Sequence, residues 1–299
     1  MEYVNCDLCG ADNAEFLFYD NSFKLVRCRG CGLVYANPRP MEFVVDEICP
    51  GRRTGRDPHF SYYKNYIAHK NGFAAEAKDF LKGIKKYKKR GRLLDIGSAA
   101  GFFLNEARKN GWETYGVEIS PALSGYARDK FGLNVFCGAL EESCFAEGYF
   151  DAITMFDLLS HLRSPAGTLM EIRRVLATGG LLVIKGGNKG ELKTKRAGGE
   201  SWGSPDHLYH FSRKNIRELL KRSGFKILEL KSEAVMGSLF NRKSLEISGN
   251  SKTVNFIEKH KTLLAGPYRL FRKTVRSLLG RFLGYFPVDS IVMVYAIKE

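Results

Sequence analysis

The sequence has no apolar run approaching the roughly 18 residues that a membrane-spanning helix requires. Its first residues, Met1-Glu2-Tyr3-Val4-Asn5-Cys6-Asp7, lack the basic-then-apolar layout of a secretory leader. These two absences set the expectation of a cytoplasmic protein. Acid is also scarce, with 32 Asp and Glu against 47 Lys and Arg and a formal charge of +15. The excess is uneven: Lys82, Lys85, Lys86, Lys88, Lys89, Arg90 and Arg92 crowd one stretch, and Arg269, Arg272, Lys273, Arg276 and Arg281 another. Such a balance fits an anionic partner (nucleic acid, an anionic membrane surface or a phosphorylated substrate), or else a merely solvated face.

The chain does hold enough material for a folded core. At 299 residues it accommodates one large domain and a small one, and 44% apolar with 26% charged residues is ordinary globular composition.

Four of the seven cysteines form a pattern. Cys6-Asp7-Leu8-Cys9 and Cys28-Arg29-Gly30-Cys31 are two C-x-x-C knuckles separated by 18 residues, the spacing of a structural zinc site. Four thiolates would fill a tetrahedral shell and leave no position for a catalytic water, so the Zn2+ is expected to be structural. Such a site supplies roughly 10–16 kcal/mol in isolated fingers, ample for a stretch with little core of its own. Disulfides are the competing reading, disfavoured without a secretory leader. Glu15–Tyr19 and Phe23–Arg27 read as strands between the knuckles, and Asn37-Pro38-Arg39-Pro40 ends the ribbon near residue 40. Cys49, Cys137 and Cys144 lack metal spacing and are expected to be buried hydrophobes.

Residues 59–90 carry helical periodicity with a break near Asn71-Gly72, a helical cap over about 41–90. Strands and helices then alternate: strands at Arg92–Ile96, Thr114–Glu118, Asn134–Cys137, Phe150–Met155 and Leu181–Lys185, and helices opened by Phe102, Ser120-Pro121 and Ser164-Pro165. That rhythm predicts an α/β fold with a doubly wound parallel sheet over residues 91–299. Ser212–Ser223 reads as a further helix, Phe225–Lys231 and Ile291–Ile297 as strands, and about 236–288 as a helical insertion. Within that insertion, 263–286 is basic and amphipathic, which suggests peripheral contact with an anionic membrane, although core packing explains the same pattern.

The stretch Leu93-Leu94-Asp95-Ile96-Gly97-Ser98-Ala99-Ala100-Gly101 ends the first strand in a bare turn that opens a helix. In open parallel sheets ligands sit beyond the carboxyl ends of the strands. No Gly-Lys-Ser/Thr follows, so this is not a nucleoside-triphosphate loop, and the glycines do not spell G-x-G-x-x-G. Asp95 would repel a pyrophosphate but suits a ligand bearing an ammonium and a sulfonium. Glu118 ends the second strand 21 residues after Gly97, where it can accept both ribose hydroxyls. S-adenosylmethionine fits these residues best.

Residues 91–190 resemble the class I S-adenosylmethionine-dependent methyltransferases. Asp95, Gly97, Ala99 and Gly101 match the family's D/E-x-G-x-G-x-G motif with alanine at the central glycine, and Phe150–Asp157 with His161-Leu162 is similar to its fourth-strand signature. Arg174–Gly180 resembles its L-K-P-G-G turn with Thr178 for proline, and an acid usual before the histidine is Ser160 here. The knuckles and Trp202-Gly203-Ser204-Pro205-Asp206-His207-Leu208 resemble a bacterial subgroup with an N-terminal zinc ribbon that methylates small metabolites. The resemblance implies a Rossmann-like domain whose cofactor lies among Asp95, Gly97, Ala99, Gly101, Glu118, Ile119, Leu140, Phe156 and Asp157. The family's acid near adenine is replaced by Gly138-Ala139-Leu140-Glu141, which leaves that contact to the backbone.

The expected reaction is O- or C-methylation of a small-molecule acceptor such as a sugar, polyketide, quinone or lipid-like compound. His161 and His207 are the candidate catalytic residues, with His210 and Asp157 also considered as bases. Two rival classes are an RNA methyltransferase and a catalytically degenerate binding protein. Against the first, Phe156-Asp157-Leu158-Leu159 lacks the Asn/Asp-Pro-Pro-aromatic motif of nucleobase-amine methylation. The second is permitted by the departures at Ala99, Ala139, Ser160 and Thr178.

Overall fold

A computed structural model describes residues 1–41, 67, 70–188, 206–234 and 290–299. The chain divides into two compact units, Met1–Ser232 with Ile291–Glu299, and Glu233–Ser290. The second unit falls almost wholly outside the described residues. So do the expected insertion with its basic segment at 263–286, and Cys49, Tyr62, Tyr63, Tyr66, His69 and residues 202–205.

The first unit begins with a hairpin, β1 (Ala14–Asp20) and β2 (Phe23–Cys28), paired antiparallel from Ala14↔Cys28 to Asp20↔Phe23. β3 (Val34–Ala36) pairs antiparallel with β2 through Val26↔Tyr35. The fourth strand of this sheet comes from far along the chain: in chain order it is β9 (Tyr209–His210), paired as Val34↔His210 and Tyr35↔Tyr209. Two residues carry no strand periodicity of their own, so only their partner makes them a strand.

The larger sheet comprises β4 (Gly91–Ile96), β5 (Trp112–Glu118), β6 (Asn134–Cys137), β7 (Phe150–Phe156), β8 (Leu176–Asn188), β10 (Phe225–Ala234) and β11 (Ser290–Lys298). Their order is β10-β11-β8-β7-β4-β5-β6, and β4, β5, β6, β7 and β8 run parallel. The sequence order reverses between β4 and β7, the position where α/β sheets open a binding crevice. Helices α1 (Lys70–Ile84), α2 (Phe102–Lys109) and α3 (Pro121–Phe131) lie against one face, where Ala77, Leu81, Leu104 and Ala127 meet Leu93, Ala152 and Val183. Helices α4 (Pro165–Val175) and α5 (Arg213–Arg222) and the ribbon cover the other, where Leu169, Ile172, Leu219 and Leu33 share a core with Leu94, Ile153 and Ile184. Burial from both sides explains why Leu181-Leu182-Val183-Ile184 of β8 is continuously apolar rather than alternating.

The serines expected to open helices do so. Ser120, Ser164 and Ser212 accept hydrogen bonds from the amides of Leu123, Gly167 and Asn215. Other boundaries move. Asn71-Gly72 does not interrupt α1, and β8 begins at Leu176 rather than Leu181, absorbing Gly179-Gly180 as a register shift against β7. Cys137 and Cys144 are exposed, not buried. The first ends β6, an edge strand, and the second sits in a loop at φ 52°. Among the described residues no helix is long and apolar enough to cross a membrane.

Candidate active site and cysteine centre

At the carboxyl end of β4 the backbone turns sharply. Gly97, Ala99 and Gly101 all adopt positive φ, at 72°, 47° and 76°. A side chain at Gly101 would collide with Leu133 Cδ1 at 2.6 Å and Ala127 Cβ at 2.9 Å, so the turn can pack against α3 only without one. Ala99, standing where the family motif has glycine, takes the left-handed conformation at some cost. The amides of Gly97 and Ser98 both donate to Val117 O, which ties the turn to β5.

Glu118 braces this turn. Its Oε2 accepts from Ala99 N and its Oε1 from Ser120 N, each at 2.9 Å, and the residue is buried. Asp95 lies inside the turn, where its Oδ1 accepts from Thr154 Oγ1 on β7 at 2.6 Å. Burial pushes its carboxyl up to about 7, Thr154 opposes the shift and the Glu118 charge adds to it.

Around the turn the expected residues divide by environment. Ile119 is an exposed aliphatic side chain at the end of β5, whereas Leu140 is buried. Glu141 is engaged by α4, its Oε1 accepting from Thr168 Oγ1 at 2.8 Å. Phe156 packs between Phe80 of α1 and Phe103 of α2, with ring centroids at 4.6 and 4.9 Å. Asp157 follows at φ 53°, and its Oδ2 accepts from Lys185 Nζ at 2.7 Å. The sequence reading missed Lys185. Its Nζ also donates to Glu76 on α1 at 2.9 Å, joining the helical cap to the ends of β7 and β8. Burial works against its charge, but Asp157 and Glu76 outweigh it and hold the ammonium above its ordinary value. The available signal was a single basic residue ending the apolar run Leu181-Leu182-Val183-Ile184.

The histidines come together from two segments. A short 3₁₀ turn, Leu159–His161, follows β7, beside Leu158, whose Cδ2 lies 3.1 Å from where a Gly97 Cβ would stand. The His161 and His207 rings meet edge-on with centroids 4.5 Å apart, and His161 Nδ1 lies 2.9 Å from Asp206 O. His207 and His210 are 6.3 Å apart, but His210 is buried within the ribbon sheet on β9. His210 is thereby set apart from the His161–His207 pair.

The four knuckle cysteines converge, their sulfurs all within 4.8 Å of one another, with Cys6–Cys31 at 3.4 Å and Cys9–Cys28 at 3.5 Å. A tetrahedral Zn–S length of about 2.3 Å sets sulfurs ~3.8 Å apart, so the donor set suits zinc closely. Burial pushes the Cys31 thiol up to about 11 and the Cys6 thiol further, an environment that a divalent cation would compensate.

The methyltransferase-domain family matches residues 66–230, more than half of the chain. The chain belongs to the class I S-adenosylmethionine-dependent methyltransferases. Two relatives, both named for small-molecule biosynthesis, are similar to this chain. The ubiquinone biosynthesis O-methyltransferase of Roseobacter denitrificans is 26% identical over 189 residues, 56% of this chain and 71% of that one. The biotin biosynthesis bifunctional protein BioHC of Cellvibrio japonicus is 26% identical over 184 residues, 55% of this chain and 36% of that one. This methyltransferase thus spans only about a third of the bifunctional protein. Its fold is like that of an S-adenosylmethionine-dependent methyltransferase from Archaeoglobus fulgidus, with TM-score 0.50 at 17% identity over 81% of this chain and 100% of the other.

Proposed function

We propose that the methyltransferase transfers the methyl group of S-adenosylmethionine to an oxygen or carbon of a small metabolite, with His161 and His207 serving proton removal. The observation that carries the reading is the convergence of these two rings, 4.5 Å apart, beside the loop that leaves β7 against the Gly97 turn. When bound, the cofactor supplies an electrophilic methyl on a sulfonium. Asp95, Glu118 and Asp157 give its binding end the negative charge that an ammonium and a sulfonium require. The bare turn from Gly97 to Gly101 lets a ligand approach the backbone closely, Glu118 accepts the ribose hydroxyls, and Ile119 offers an apolar flank to adenine.

Because the leaving group is a neutral thioether, alignment and dehydration are the protein's main contributions. An alcohol or carbon acid must also lose a proton. A histidine titrates near neutrality and is suited to take it. With its Nδ1 at Asp206 O, a neutral His161 donates there and keeps Nε2 as an acceptor. The similarity to a ubiquinone biosynthesis O-methyltransferase supports a quinone-type acceptor among the small metabolites. Cys6, Cys9, Cys28 and Cys31 hold a structural Zn2+.

Calorimetric titration with S-adenosylmethionine, beside a Glu118→Ala variant that still melts cooperatively, tests the donor half. Micromolar binding lost in the variant is expected. A folded wild-type protein that fails to bind would overturn the proposal. With an acceptor in hand, His207→Ala should keep cofactor affinity and lose turnover by about 10²-fold or more.

A further inference from the structure

The ribbon packs its apolar side on the domain core, and its named hydrogen bonds to the domain fall at the two segments that carry the candidate histidines and at the starts of the helices that follow them. One segment lies between β7 and α4 and contains His161. The other lies between β8 and α5 and contains His207. The ribbon holds the first where it runs into α4 and the second where it runs into α5.

At the His161 segment, Asp7, which stands between the two cysteines of the first knuckle, caps helix α4. Its Oδ1 accepts from Ser164 Oγ at 2.9 Å and its Oδ2 from Ala166 N at 2.7 Å. Arg163 donates to Pro40 O at 3.0 Å and pairs with Glu2, and Arg39 donates back to Arg163 O at 2.5 Å. At the His207 segment, β3 pairs with Tyr209 and His210, Ala36 N donates to Leu208 O, and Asn215 Nδ2 of α5 donates to Cys31 O at 3.0 Å. The two segments are also joined to each other: Leu208 N donates to Ser160 O, and the Tyr209 hydroxyl donates to Arg163 O at 3.1 Å while accepting from Arg39. The cofactor turn takes its bracing from β5, through Val117 and Glu118, and from no ribbon residue named here.

We propose that the ribbon is a splint for the acceptor half of the active site: metal in the cysteine cluster sets the geometry of the His161–His207 pair through Asp7, Asn215 and the β3–β9 pairing, while leaving the cofactor turn alone. This rests on the reading of those histidines as the acceptor side. Asp7 and Tyr209 are positioning residues, acting through the segments they hold. The splint explains why the short strand Tyr209–His210 exists, since among the described residues β3 is its one sheet partner.

The test uses the full chain with zinc bound and after removal of zinc by a chelator, with amide hydrogen exchange and S-adenosylmethionine calorimetry as readouts. Stripping the metal should speed exchange in 158–164 and 206–212 by about tenfold or more while that in 93–101 stays within about threefold. Cofactor affinity should also stay within about threefold. Uniform acceleration through the whole domain, or loss of cofactor affinity in step, would overturn the splint and leave the metal as a general stabiliser. Unchanged exchange in both histidine segments would overturn it as well.

If the stripped protein unfolds, Asp7→Ala and Tyr209→Phe with zinc retained give the same comparison, and accelerated exchange confined to the two segments is the supporting result. None of these readouts needs turnover. A splint that holds while His207→Ala keeps full activity would therefore refute the histidine assignment alone.

Discussion

Asp95 makes a prediction that can be worked through from its surroundings. Its carboxyl is 4% exposed, and burial lifts it from an ordinary value of 3.8 to about 7. At pH 6.5 such a group is about three-quarters protonated in the free protein, and at pH 8.5 almost wholly ionised. A bound cofactor brings two positive charges to this end of the turn, which favours the carboxylate and drives the proton off. Binding at pH 6.5 should therefore release about 0.7 proton through Asp95 and at pH 8.5 almost none. Calorimetry in two buffers of different ionisation enthalpy measures the release. Asp95→Asn, which keeps an acceptor for Thr154, removes this contribution while the ligand's own ammonium contributes equally to both proteins. Equal proton linkage in wild type and Asp95→Asn would refute the assignment of Asp95 to the cofactor.

The same shift has a consequence for stability. Below pH 3.8 the group is protonated both folded and unfolded, and it contributes no pH dependence. Between there and about 7 the unfolded chain ionises while the folded one does not, so stability falls as pH rises and the loss is complete above about 7. Roughly three pKa units correspond to at most about 4 kcal/mol. Asp95→Asn should thus raise the melting temperature of the ligand-free protein at pH 8 and leave it unchanged near the bottom of this range.

Two other substitutions probe the same end of the sheet. Ala99→Gly relieves a left-handed alanine at φ 47°. Its gain of about 1–2 kcal/mol is partly offset by glycine's greater unfolded freedom, so denaturant melts should show a net rise below about 1 kcal/mol, and a fall would mean the methyl packs usefully. Lys185→Met removes two ion pairs, yet Asp157 and Glu76 remain 57% and 43% exposed and can be solvated. The expected loss is about 1 kcal/mol, and one above about 3 would show that the carboxylates are stranded.

What the sequence disclosed follows how local each feature is. The cysteine knuckles, the serine caps and the bare turn with Asp95 and Glu118 each depend on residues close in sequence or on the spacing of one strand–helix unit. Their chemistry is therefore readable without the fold. The proposed acceptor half is assembled from afar. His161 and His207 meet across 46 positions, Lys185 reaches Glu76 across 109, and β9 exists only because β3 lies beside it. No periodicity marks such pairings. The misplacement of Cys137 has the same origin, since whether a strand lies at the edge is a property of the sheet and not of its residues.

The charge of the molecule illustrates the difference between composition and placement. The basic run ends in the residues that lead into β4 at its amino end, with Lys85, Lys86, Lys89 and Arg90 exposed. Some of its members are already occupied: Lys88 lies 3.7 Å from Asp151, and the Arg92 guanidinium lies 4.1 Å from the Tyr149 ring centroid. The cofactor turn leaves the opposite end of the same strand, six residues away, or about 20 Å of extended chain. That separation exceeds the Debye length of roughly 8–10 Å at physiological salt, so the exposed lysines do little to the potential at the turn. The local charges there are Asp95, Glu118, Asp157 and Glu76 against Lys185. A protein of net charge +15 thus presents an acidic cofactor end, the sign suited to a cationic donor. The exposed lysines at the amino end of β4 therefore bear on whatever meets that end of the sheet, and salt should weaken that encounter while leaving cofactor affinity nearly unchanged.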